Sequence, residues 1–227
     1  MPEIRGQLLP VYVMADESLS MKPYLGELNA GLRSLHETLH GEPMIAAKVR
    51  LAVLGFSDNV MQRLELCDAR TMMQMPNLVI RAGTSYAAAF DDLARRIPAD
   101  IGQLKADQYA VHRPAVFFLS DGQPTDRDPR AWTAPHDRLV DRTQTAGAPN
   151  IIACGIGDAE AQTILDVATS PTFAFISTPG ADIGRSIAQF FGALTASIVS
   201  SGSALASGDP RLVVERPESF SMAIDLV

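Results

Sequence analysis

Three stretches of this sequence, residues 8–15, 115–119 and 150–154, are apolar almost without interruption. A strand with one wet face alternates apolar and polar residues, so a run without alternation is a strand buried on both faces. Such strands belong to parallel sheets whose faces are covered by helices. Helical patterns fall between them. Leu25, Leu28, Leu32, Leu35 and Leu39 recur at gaps of three and four, which lays one apolar stripe along a helix that Gly41 and Pro43 close. Residues 86–97, 132–143, 159–168 and 181–199 read as further helices. Residues 49–56 and 60–66, joined by Ser57-Asp58-Asn59, read as a hairpin, with shorter extended pieces at 78–80 and 173–176. The alternation predicts an α/β fold: a doubly wound, mostly parallel six-stranded sheet with helices on both faces and one antiparallel edge strand.

The 227 residues fit one domain, expected over 1–200, followed by a flexible or loosely packed tail over 201–227 where Ser, Gly and Ala accumulate. A formal charge of -7 argues against nucleic acid as the main partner. Cys67 and Cys154 form no C-x-x-C pair, which excludes a disulfide scaffold or a cysteine zinc knuckle and suits a reducing cytosol. No secretory signal is read at Met-Pro-Glu-Ile-Arg, and no apolar run approaches the ~18–20 residues of a membrane span. The expectation is a soluble chain without a membrane partner.

Ligands of doubly wound sheets bind at the carboxyl ends of the strands. Three polar clusters fall just past such ends: Asp16-Glu17-Ser18-Leu19-Ser20, Gly83-Thr84, and Asp121-Gly122. Together they offer the carboxylates of Asp16 and Asp121 and the hydroxyls of Ser18, Ser20 and Thr84. A set with oxygen alone, free of sulfur and imidazole, suits a hard cation such as Mg2+, Mn2+ or Ca2+. A cation held by few direct charges stays electrophilic and would draw a carboxylate from a protein partner. The competing reading is that Asp16, Ser18 and Ser20 only cap the first helix.

Two motifs point instead to a hydrolase. His36-Glu37-Thr38-Leu39-His40 matches H-E-x-x-H, the zinc-protease pattern, but Gly41 and Pro43 stop the helix at the motif and its longer extension is absent. Gly83-Thr84-Ser85-Tyr86-Ala87 imitates a nucleophile elbow, with Asp121 and His136 following in the order of a serine hydrolase. No G-x-x-x-x-G-K-[ST] loop occurs. Met72, Met73 and Met75 read as core filler, and Trp132 as core or interface.

The pattern Asp16-x-Ser18-x-Ser20 with Thr84 and Asp121-Gly122 resembles the metal-ion-dependent adhesion site (MIDAS) of von Willebrand factor type A (VWA) domains. The likeness covers almost the whole chain, including residues 49–66, Gly83-Thr84-Ser85 and residues 117–126. More narrowly, residues 149–155 and 187–191 are similar to the bacterial tellurium-resistance, TerY-like members. The resemblance implies a Rossmann-like three-layer fold. It implies a divalent cation, Mg2+ first, bound by Ser18, Ser20 and Thr84, with Asp16 and Asp121 bound directly or through water. It also implies a cytoplasmic, non-enzymatic role in stress response through protein–protein contact. The family usually has Gly between the two serines; Leu19 stands there in this chain, which predicts a stiffer loop.

Overall fold

The computed structural model describes residues 4–145 and 147–227, so the first three residues of the expected 1–200 unit, with the start of the stretch read for a secretory signal, lie outside the described residues. Among the described residues eight strands form one sheet: β1 (Gly6–Asp16), β2 (Val49–Phe56), β3 (Val60–Asp68), β4 (Tyr109–Val111), β5 (Ala115–Ser120), β6 (Asn150–Gly155), β7 (Ala174–Ser177) and β8 (Phe220–Met222). Their order is β3-β2-β1-β5-β6-β7-β8, with β4 beside the start of β1. β1 pairs in parallel with β2 on one side and with β4 and then β5 on the other. Pro10, which has no N–H to give, sits between Leu8, the last residue opposite β4, and Val11, the first opposite β5. The sheet is parallel except at its two margins, where β3 lies antiparallel on β2 and β8 antiparallel on β7. The expected sheet had six strands and one antiparallel margin. The two added strands, β4 and β8, are three residues each and too short to leave a pattern in sequence.

Alternate residues of β1 serve two cores. Val11, Val13 and Ala15 join the cluster under α1 (Leu25–Gly41) and α6 (Ile183–Ala206). Tyr12 and Met14 join the cluster under α3 (Tyr86–Ala106), α4 (Thr133–Val140) and α5 (Ala161–Val167); the remaining helix, α2 (Pro43–Ala46), is a single turn. The Leu stripe of α1 is buried. Gly31 lets α6 come close, since a Cβ there would stand 2.1 Å from the ring of Phe191. On the opposite face Phe118 stacks on Phe56 at 5.0 Å and takes Tyr86 edge-on at 4.9 Å. Trp132 completes that aromatic group and is buried. Met72 and Met75 are buried as filler, whereas Met73 is exposed.

Regular structure extends into the stretch expected as a flexible or loosely packed tail. α6 runs past residue 200 to Ala206, and the chain then returns along it to pair β8 with β7. Ser201 Oγ accepts from the Val213 amide at 2.9 Å, and Ser197 Oγ from the Glu215 amide at 2.8 Å. Leu205 and Phe220 are buried in the core. Ser201, which looks like linker composition, is a buried acceptor here. α3 likewise continues through Pro98 to Ala106, nine residues beyond the expected end. By length and composition α6 is apolar enough to cross a membrane, contrary to the expectation that no segment is; in this fold Ile187, Phe190, Phe191, Leu194 and Ile198 pack into the core.

Candidate metal centre

β1 has β2 on one side and β5 on the other, so the crossovers leave it in opposite directions and its carboxyl end is the switch point of the sheet. Asp16 ends β1 and is fully buried. Its Oδ1 accepts from the Ser18 amide at 2.8 Å and its Oδ2 from Ser120 Oγ, the last residue of β5, at 2.6 Å. Ser18 Oγ lies 2.9 Å from Ser20 Oγ, and Ser20 Oγ donates to Asp121 Oδ1 at 2.9 Å. Four of the five residues singled out in the sequence are thus joined by hydrogen bonds across two strand ends, Asp16 through the Ser18 amide and the others through their side-chain oxygens.

Thr84 reaches the same region through the backbone. The Arg81 amide donates to the Glu17 carbonyl at 2.6 Å and the Leu19 amide to the Ala82 carbonyl at 3.3 Å. On its other side, the Thr84 amide donates to Thr125 Oγ1 at 2.9 Å and the Thr84 carbonyl accepts from the Thr125 amide at 2.8 Å. The segment carrying Thr84 is therefore laced to both loops. No hydrogen bond joins its hydroxyl to the other four side chains.

Burial pushes the Asp16 carboxyl up to about 6, against the hydrogen bonds from Ser120 and Ser18, and repulsion from Asp121 adds to the rise. Burial also raises Asp121, with Asp158 contributing. The Tyr86 hydroxyl, which donates to the Gly122 carbonyl at 3.1 Å, is raised by burial and by both carboxylates. Two carboxylates short of positive charge, linked to hydroxyls by hydrogen bonds, form a donor set that a divalent hard cation fits. Among the described residues no three His, Cys, Asp or Glu side chains converge, so a cation at this place would depend on the hydroxyls.

The helix-capping reading is not realised. The helical turn Leu19–Tyr24 has Ser18 at its N-cap with no side-chain bond, and α1 begins only at Leu25. Leu19 opens that turn with φ in the ordinary negative range, so the position does not require glycine; its side chain is 61% exposed.

The hydrolase motifs do not assemble. His36 Nε2 bonds the Met72 carbonyl at 3.0 Å, and Glu37 and His40 lie on the exposed face of α1. Ser85 is the N-cap of α3: its Oγ donates to Asp126 Oδ1 at 2.6 Å and accepts from the Ala88 amide at 3.1 Å. His136 is buried, with Nε2 on the Val167 carbonyl at 2.9 Å. No strand precedes Gly83, as an elbow would need.

Sequence reasoning missed three participants. Ser120 looked like a strand end and is the hydroxyl on Asp16. Asp126, in the loop after β5, holds the first turn of α3 through the Tyr86 and Ala87 amides at 3.1 and 3.3 Å. Glu17, inside the first polar cluster, is fully buried and paired with Arg63 and Arg81. Its partners lie 46 and 64 residues away, beyond any local signal.

No protein-family model matches this chain, and no curated protein matches it. Solved structures do. The pilus adhesin SpaC from Lactobacillus rhamnosus GG matches with a TM-score of 0.66 at 13% identity, over 87% of this chain and 31% of the adhesin. A von Willebrand factor type A protein from Catenulispora acidiphila matches with 0.56 at 15% identity, over 86% of this chain and 43% of that one. Proximal thread matrix protein 1 from the mussel byssus, with zinc in its MIDAS motif, matches with 0.55 at 14% identity, over 86% and 49%. This chain therefore spans between 31% and 49% of the length of these three proteins. The fold is the α/β fold of these VWA-like structures: a mostly parallel sheet with antiparallel margins and helices on both sides.

Proposed function

We propose that this chain is a metal-ion-dependent protein-interaction module. A divalent cation, Mg2+ first and Mn2+ or Ca2+ as alternatives, would be held by Asp16, Ser18, Ser20, Thr84 and Asp121. When bound, it supplies a positive charge that accepts a carboxylate from a protein partner. The single observation that carries this reading is the hydrogen-bonded series from Asp16 through the Ser18 amide and the Ser18 and Ser20 hydroxyls to Asp121, whose two carboxylates are both destabilised as anions by their surroundings. Two likenesses of fold support it: the mussel protein holds zinc in a MIDAS motif, and SpaC is a pilus adhesin.

The chain's own residues have distinct tasks in this reading. Ser120 and the Ser18 amide orient the Asp16 carboxylate from behind. Ser20 joins the first loop to Asp121. Thr125 fixes the backbone of Thr84. The exposed Leu19 side chain, between the two serines, offers the partner an apolar contact beside its carboxylate. The setting we propose, a cytoplasmic stress response of the tellurium-resistance type, is supported by the sequence resemblance alone.

Calorimetry with Mg2+ and with Mn2+, on the natural chain and on the double variant Asp16→Ala, Asp121→Ala, tests the metal centre. Binding by the natural chain and none by the variant is expected. Equal heats from both proteins would discard the reading.

A further inference from the structure

Glu17 stands between two proposed ligands, Asp16 and Ser18, yet its side chain belongs to a different network. It lies over Gly55 of β2, so closely that a Cβ on Gly55 would come within 2.1 Å of its carboxyl carbon. Oε1 accepts from Arg63 Nε at 2.8 Å and from the Val79 amide at 2.9 Å. Oε2 accepts from Arg63 Nη2 at 2.9 Å and from Arg81 Nε at 2.8 Å. Arg63 comes from β3, while Val79 and Arg81 come from the segment that leads to Thr84. Arg81 in turn donates through Nη2 to the carbonyls of Gly55 at 2.8 Å and Asn59 at 2.9 Å, and through Nη1 to the Asn59 side chain. The backbone repeats the connection, with the Glu17 amide on the Phe56 carbonyl at 2.8 Å.

One carboxylate thus ties the Asp16–Ser20 loop to the β2–β3 hairpin and to the Thr84 segment at once. Bidentate pairing with a guanidinium fixes orientation as well as distance. A cation site is sensitive to such support, because loosely held donors bind more weakly than preorganised ones. We propose that Glu17 is the positioning residue of the metal centre: it locks the loop of Asp16, Ser18 and Ser20 against the segment of Thr84, and the centre's cation affinity depends on that lock. The proposal rests on the reading of Asp16 to Asp121 as a metal centre.

The test separates geometry from charge. Glu17→Asp keeps the negative charge but is one methylene too short to reach Arg63, Arg81 and Val79 together. If Glu17 acts through position, Glu17→Asp weakens Mn2+ binding at least tenfold by calorimetry. Its bound Mn2+, at saturation, gives an electron paramagnetic resonance spectrum different from that of the natural chain. Arg81→Lys, a milder change that keeps the positive charge but loses the guanidinium fork, weakens binding to a lesser degree and keeps the proposal testable if Glu17→Asp does not fold. Arg95→Ala, which removes an exposed arginine from the pair with Asp92, leaves affinity unchanged. Natural affinity and an unaltered spectrum in Glu17→Asp and Arg81→Lys, with binding lost in Asp16→Ala, would overturn the positioning role and leave the metal centre standing. Absence of Mn2+ binding by the natural chain would remove the metal centre, and the positioning role with it.

Discussion

Asp16 and Glu17 are neighbours in the chain, and both side chains are fully buried, yet the fold treats their charges in opposite ways. Glu17 is met by two guanidinium groups and a backbone amide. Asp16 is met by a hydroxyl and a backbone amide, with a second carboxylate, Asp121, close enough to repel it. A buried charge is tolerated only when it is paired and hydrogen-bonded. This chain's own side chains neutralise Glu17 and do not neutralise Asp16. The contrast separates a carboxylate that builds the molecule from one suited to meet an external positive charge.

The largest way to break this contrast is to remove the paired carboxylate. Glu17→Ala leaves Arg63 and Arg81 facing each other and the Val79 amide unpaired; a loss of about 3–5 kcal/mol is expected in urea unfolding. In metal-free protein Asp16→Ala should cost much less, because an unfavourable charge goes with it. Similar losses at the two positions would erase the distinction.

The pH dependence comes next. The Asp16 carboxyl titrates near 6 in the folded chain against its ordinary 3.8, so between these values the folded state binds more protons than the unfolded one. Its contribution is fully present below the lower value and is lost as pH rises through 6. In metal-free protein the stability of the natural chain minus that of Asp16→Asn should fall as pH rises from 4 to 7, by up to about 3 kcal/mol. Taking the difference cancels groups that act the other way, such as Asp68, which is held low by its bonds from Arg70 despite some burial. A flat difference curve would show that Asp16 is not strained as an anion.

Cation linkage is of similar size and depends on the proposed centre. Mg2+ at a hundred times its dissociation constant should raise the unfolding free energy by about 2.7 kcal/mol, and Asp16→Asn should abolish the increment. The smallest effect is expected at Leu19. Because its backbone does not need glycine, Leu19→Gly should shift stability by less than about 1 kcal/mol, through the unfolded state, and leave Mg2+ affinity within about threefold.

The centre of the fold was legible because burial on both faces forces unbroken apolar runs. β1, β5 and β6 follow from residues 8–15, 115–119 and 150–154, and α1 from the Leu25–Leu39 stripe. The margins were not. Tyr109–Val111 and Phe220–Met222 become strands only because a neighbouring edge accepts them. Ser201 resembled a linker residue until the returning chain supplied an amide for it. At the site, the grouping of Asp16, Ser18, Ser20 and Asp121 could be read from strand ends, since topology alone brings the ends of β1 and β5 together. Ser120, Glu17 and its two arginines could not, because their roles exist only once distant segments have packed.

β1 also has a mechanical consequence. It lies in the interior of the sheet, hydrogen-bonded over Leu9–Asp16 to β2 and over Val11–Ala15 to β5, and it ends at the candidate centre. Tension between a partner held at Asp16 and the Gly6 end would run along the strand axis and be carried by the covalent backbone of β1, which the ladders on both sides hold extended. Tension on the C-terminal end of β8 would instead peel three residue pairs from β7 one after another. Pulling by optical tweezers along β1 should therefore need more force than stripping β8, so the fold withstands a load applied at the end of β1 far better than one applied at β8.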